Sequence, residues 1–142
     1  MSTIQYVCPG CHAINKLPQK RLADSPNCGR CKSPLLTHSS VTLSQADFQR
    51  FIEKNDLPVI VDFWASWCGP CKAMEPGFER AARALSGERV LAKVNTEYAP
   101  QLSAQYGIRS IPTLIKFRHG REVSRQAGAM SEPDIVRWCN SA

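Results

Sequence analysis

An apolar run that stops just short of a cysteine pair constrains this chain more than any other feature. Val59-Ile60-Val61-Asp62-Phe63-Trp64 is rich in β-branched and aromatic residues, the pattern of a buried parallel strand. From Lys72 to Leu85, the residues Met74, Phe78, Ala81, Ala82 and Leu85 recur at helical spacing. Between the two lies Trp67-Cys68-Gly69-Pro70-Cys71. Cys68 is therefore expected where a strand ends and a helix begins, and the free N–H groups and dipole of that helix favour thiolate over thiol. Cys71 lies one helical turn further on, close enough to close a disulfide. The pattern predicts an exchanging dithiol, with Cys68 as the attacking nucleophile and Cys71 as the resolving thiol. A structural disulfide or half of a metal site would not call for Gly-Pro between the cysteines and Trp before them.

Two more C-x-x-C turns precede it. Cys8-Pro9-Gly10-Cys11 and Cys28-Gly29-Arg30-Cys31 are separated by 16 residues, a spacing suited to a four-cysteine zinc site. Each turn can offer two sulfurs, and the two together complete a tetrahedron. The metal also supplies what so short a segment lacks, a core large enough to hold it folded. A closed four-sulfur site leaves no open position, so one structural Zn²⁺ per chain is expected and no organic cofactor. His12, His38 and His119 are read as surface histidines rather than ligands. Cys139, the seventh cysteine, falls among apolar residues of a predicted helix and reads as buried and inert.

Length and composition add bounds. The 142 residues suffice for one domain with a small appendage, placed at 1–36 for a zinc ribbon, 37–40 for a polar linker and 41–142 for the catalytic domain. No apolar stretch is long enough to span a bilayer, and the first residues lack the basic region and apolar core of a signal peptide. A cytoplasmic location is the resulting expectation, with most thiols reduced. The net charge is +6, of which residues 1–40 carry +4, namely Lys16, Lys20, Arg21, Arg30 and Lys32 against Asp24. Four thiolates around Zn²⁺ would offset part of that, so nucleic acid is not expected as a partner.

Across residues 41–142 the pattern reads β-α-β-α-β-α-β-β-α. Phe48, Phe51 and Ile52 mark a helix face after Val41-Thr42-Leu43, and Pro76 is expected to kink the catalytic helix. Val90 to Asn95 is a further buried strand, and Gln101 to Tyr106 a short helix. Residues 113–117 and 122–127 form a hairpin around Arg118-His119-Gly120-Arg121. Ser131-Glu132-Pro133-Asp134 opens the last helix. The fold class is α/β, a central mixed sheet flanked by helices.

WCGPC, with Val-Asp-Phe-Trp-Ala before it and Ile111-Pro112-Thr113 after it, resembles the thioredoxin family over residues 39–142. The four-cysteine segment is similar to its zinc-ribbon members, the thioredoxin 2 type. The resemblance implies that Asp62, a carboxylate in an apolar strand whose burial should raise its pKa, takes the proton of Cys71 through water. It implies that Lys93 pairs with this carboxylate. It makes Pro112 a cis-proline facing the dithiol, with the Ile111 backbone presented to a substrate strand. Trp67, Gly69, Pro70 and the Gly128 region would form an apolar rim around Cys68, and Trp64 would pack beside it. The implied activity is protein-disulfide reduction by a monomer, recharged by thioredoxin reductase and ultimately NADPH. Two other readings stay open, a redox-switched chaperone and a binding module in which the ribbon recognises protein or nucleic acid.

Overall fold

The structure, a computed structural model, describes residues 3–141; residues 1, 2 and 142 of the predicted ranges lie outside it. The N-terminal segment builds an antiparallel pair, β1 (Thr3–Val7) and β2 (Ile14–Pro18). A 3-10 turn at Gln19–Asp24 follows and buries Leu22. The larger part of the chain runs β3 (Val41–Thr42), α1 (Phe48–Lys54), β4 (Val59–Trp64), α2 (Gly69–Ala84), β5 (Val90–Asn95), α3 (Pro100–Gln105), β6 (Thr113–Arg118), β7 (Arg121–Ala127) and α4 (Glu132–Asn140). Its strands form one five-stranded mixed sheet in the order β3-β5-β4-β6-β7. β3, β5 and β4 run parallel, whereas β6 and β7 are antiparallel.

Alternation along β4 decides which helix each side chain meets. Val59, Val61 and Phe63 join Phe48, Phe51 and Ile52 of α1 and Leu102 of α3. Ile60 faces the other way, into a cluster with Met74, Phe78, Ala81 and Ala82 of α2 and Ile135 and Cys139 of α4. Asp62, two residues from Ile60, shares its side, so the same pleat that builds the core turns a carboxylate toward α2.

Pro76 lies inside α2 without ending it. Only the bond to the Lys72 carbonyl is lost, and packing of the apolar face holds the helix through that gap. The β6–β7 turn uses left-handed backbone at His119 (φ 50°) and Gly120 (φ 83°), the two-residue connection that matches strand twist.

The N-terminal segment is docked. Ile4, Tyr6, Val7, Leu22 and Leu35 belong to the same core cluster as Phe51, Val59 and Phe117. Asn55 makes the junction specific: fully buried, it accepts the Val7 N–H on Oδ1 at 2.9 Å and donates from Nδ2 to the Phe51 carbonyl at 3.1 Å. Asp56 accepts from the Gln5 N–H at 2.7 Å and returns its own N–H to the Gln5 carbonyl at 3.1 Å. Ser40, in the polar connection, donates its N–H to Glu79 of α2 at 2.9 Å. The Val7–Asn55 and Gln5–Asp56 bonds cross between the N-terminal segment and the sheet domain and would be lost if the segment swung free.

Candidate active site and metal centre

Strand β4 delivers the chain to the mouth of α2, and Cys68 is the N-cap of that helix, with backbone still extended. Its sulfur accepts the Cys71 N–H at 3.2 Å, the contact by which a helix start favours negative charge on sulfur. Gly69 and Pro70 occupy the first helical positions, where the missing proline N–H costs nothing because it would have no partner there. Cys68 and Cys71, with Cα atoms 5.3 Å apart, are joined as a disulfide. Both are buried, while Trp67 beside them is 71% exposed.

The loop before β6 closes over this pair. The Ile111–Pro112 peptide is cis, and the Ile111 carbonyl oxygen lies 3.6 Å from Cys68 Sγ. Gly128 donates its N–H to the Pro112 carbonyl at 2.8 Å. Its φ of 97° is one that side chains rarely adopt. On the opposite side, the Ser66 N–H reaches Glu97 Oε1 at 2.6 Å, which secures the backbone just before Trp67. The hydrogen bonds from Ser66 hold the Glu97 carboxyl below its ordinary range.

Behind the disulfide, Asp62 is 2% exposed and its Oδ1 has no hydrogen-bond partner. It lines a cavity of about 340 Å³ together with Trp64, Ser66, Cys71, Lys72, Glu75 and Lys93. Burial pushes its pKa up to about 7, with Lys93 opposing and Glu75 and Glu79 adding to the rise. Lys93 stands directly beside Asp62 in the parallel register of β4 and β5, yet its ammonium bonds elsewhere. Nζ lies 2.7 Å from Glu75 Oε2 and 3.9 Å from Glu79 Oε2, and 4.9 Å from the centre of the Trp64 ring. The expected Asp62–Lys93 pairing is thus a neighbourhood without a direct ion pair. Glu75 is half exposed, so pairing there costs the lysine less desolvation than entering the Asp62 pocket would.

The raised pKa of Asp62 carries a stability consequence. The unfolded chain gives up this proton near 3.8 and the folded one near 7. Between those values the folded state binds more protons, so stability falls as pH rises from about 4 to about 7 and stays lower above. The cost is about 4 kcal/mol for a shift of this size. In denaturant titrations Asp62→Asn should be the more stable protein at pH 8, by a few kcal/mol after the burial cost of the amide. The gap should close toward pH 4; a gap independent of pH would contradict the burial argument.

In the N-terminal segment, the sulfurs of Cys8, Cys11, Cys28 and Cys31 lie within 4.8 Å of one another. Cys8–Cys31 and Cys11–Cys28 are separated by 3.7 Å. A tetrahedron with ~2.3 Å metal–sulfur bonds has edges of about 3.8 Å, so the donor set fits one metal ion. Both turns are built alike. The Gly10 N–H points at Cys8 Sγ and the Arg30 N–H at Cys28 Sγ, each at 3.3 Å. His12 and Lys32, which follow the second cysteine of each turn, both take left-handed backbone (φ 64° and 67°). His12 Nδ1 lies 3.5 Å from Asp47 and not in the sulfur cluster. Cys139 is fully buried, and burial pushes its thiol up to about 11, which keeps it protonated and unreactive at neutral pH.

Four residues escaped the sequence reading. Glu75 and Glu79 follow Cys71 at helical i+4 steps, a legible signal that both share its face. Glu97 and Asn55 act through loop contacts, which no periodicity announces.

A family model described as Thioredoxin matches residues 39–141, and one described as Thioredoxin 2, N-terminal, matches residues 7–33. Thioredoxin C-3 of Corynebacterium nephridii is 43% identical over 132 residues, covering 93% of this chain and 90% of its own. The thioredoxin of Alicyclobacillus acidocaldarius is 47% identical over 90 residues, 63% of this chain and 85% of its own. That of Rickettsia felis is 35% identical over 100 residues, 70% and 95% respectively.

Proposed function

Because the chain belongs to the thioredoxin family and carries the N-terminal ribbon of its thioredoxin 2 type, we propose that it reduces disulfide bonds in proteins. The observation behind this reading is the Cys68–Cys71 pair at the start of α2 with the cis-Pro112 loop 3.6 Å from Cys68 Sγ. In the reduced protein, the Cys68 thiolate attacks one sulfur of a substrate disulfide. That bond breaks, and a mixed disulfide forms. The Ile111 backbone offers the substrate strand hydrogen bonds that do not depend on its sequence, and Trp67, Gly69, Pro70 and Gly128 form the rim. Asp62 takes the proton of Cys71 through water in the cavity between them. Cys71 then attacks Cys68 Sγ, closes the disulfide seen here and releases the second substrate sulfur as thiolate. Two electrons have passed to the substrate.

A thioredoxin reductase drawing on NADPH restores the dithiol. The ribbon metal is Zn²⁺, held by Cys8, Cys11, Cys28 and Cys31 in a structural role, since four sulfurs leave no open position. The protein acts as a monomer in the cytoplasm, where metal-bound thiolates persist; no described helix is long and apolar enough to cross a membrane.

The reading is tested with the wild-type chain on insulin in the presence of dithiothreitol. Catalytic amounts should accelerate insulin disulfide cleavage at least tenfold over dithiothreitol alone. An unaltered rate would sink the reductase assignment.

A further inference from the structure

Three carboxylates compete for one ammonium behind the dithiol, and the outcome assigns a role to a residue outside the proposed machinery. Lys93 is next to Asp62 in register but bonds Glu75 at 2.7 Å. Glu79, the third candidate, is engaged by the Ser40 N–H at 2.9 Å and by the Ser40 hydroxyl. We propose that Glu75 is a positioning residue that holds the Lys93 ammonium at the cavity mouth, so that the Asp62 carboxylate faces Cys71 without a paired cation. This rests on the reading of Asp62 as the proton acceptor of the resolving step.

The geometry shows why the position of one lysine matters. Asp62 lines the cavity it shares with Cys71, and its Oδ1 is buried without a partner. Charged or titratable groups facing it are Lys93 from β5 and Cys71, Lys72, Glu75 and Glu79 from α2. From β6 its register partner is Leu114, which brings no charge. An ammonium entering this pocket would stabilise the carboxylate and make it a poorer base for a thiol. Held by Glu75, the same ammonium attracts Asp62 only from a distance. Glu75 also repels the Asp62 carboxylate directly, so both effects keep a proton on Asp62 to higher pH.

The experiment follows the Asp62 carboxyl carbon by NMR against pH in the full-length, metal-loaded protein, with Asp62→Asn to assign the signal. Glu75→Gln keeps the shape and removes the charge. Its Asp62 midpoint should fall by about one unit, the size of effect one neighbouring charge exerts. Glu79→Gln should lower it by less. The decisive comparison repeats Glu75→Gln in a Lys93→Met background, where only direct repulsion remains and the fall should shrink by half or more. An unchanged or higher midpoint in Glu75→Gln would overturn the proposal, as would an equal fall with and without Lys93. The catalytic reading fails separately, if Asp62→Asn leaves the rate of the resolving step unaltered across pH.

Discussion

Replacing Cys68 with serine is expected to abolish disulfide reduction, with turnover falling by on the order of 10³-fold or more, the scale seen when a nucleophile is removed. A hydroxyl is not ionised at neutral pH and cannot use the site built for a thiolate. That site is asymmetric. Cys68 caps α2, takes the Cys71 N–H at 3.2 Å and faces the Ile111 carbonyl at 3.6 Å. Cys71 sits one turn inside the helix on the Asp62 cavity. Cys71→Ser should therefore fail differently. Its Cys68 still attacks, but the mixed disulfide has no resolving thiol and accumulates as a covalent adduct with substrate. Intact-mass measurement after mixing with a disulfide protein distinguishes the two. An adduct that builds up in Cys68→Ser and not in Cys71→Ser would reverse the assignment of roles.

Stripping the metal from the ribbon is expected to unfold the N-terminal segment while leaving the dithiol chemistry within a few fold of the loaded protein. A two-stranded sheet such as β1–β2 is marginal alone, and a structural four-thiolate zinc site contributes on the order of 10 kcal/mol to folding. Without the ion, four clustered sulfurs that share one charge-bearing site repel one another or take up protons. Leu22 and Leu35 pack in the same buried cluster as Cys8 and Cys28, so loosening the turns those sulfurs hold is expected to loosen them too. Ile60, Leu91 and Leu114 with α2 and α4 form a separate cluster that needs no ribbon residue. Native mass spectrometry should find one zinc per chain, retained after Cys68 and Cys71 are alkylated. Chelation should then remove amide protection at Val7 and Cys28 but not at Ile60 or Leu114. Persistent protection in the metal-free chain would mean that the segment folds on its docked apolar face alone.

Most of the topology was legible because the periodicities are strong. The apolar run of β4, the helical face of α2 and the Ser131 cap of α4, which accepts the Asp134 N–H at 3.3 Å, each follow from local sequence. Pro76 shows how packing supplements local rules: the proline removes one helical hydrogen bond, and α2 nonetheless continues from Gly69 to Ala84 with its apolar face packed. Lys116 is a similar case. A lysine in an apolar strand reads as an edge position, yet it is fully buried and donates to the Trp138 and Ser141 carbonyls at 3.0 and 2.7 Å. It closes the end of α4, and no neighbour in sequence reveals that.

Spacing alone brought each cysteine pair into reach of its partner, because residues three apart in a turn or helix start lie within a few ångströms whatever surrounds them. Burial of Asp62 followed as directly from its place in an apolar run. The tertiary structure decided what spacing could not: that the ribbon docks through Asn55 and shares a core with α1, and that Lys93 gives its charge to Glu75 rather than to Asp62. The first depends on a buried amide at the end of α1 meeting the Val7 N–H from a distant part of the chain, the second on several carboxylates competing for one ammonium, and both are settled by distance and desolvation in the folded chain.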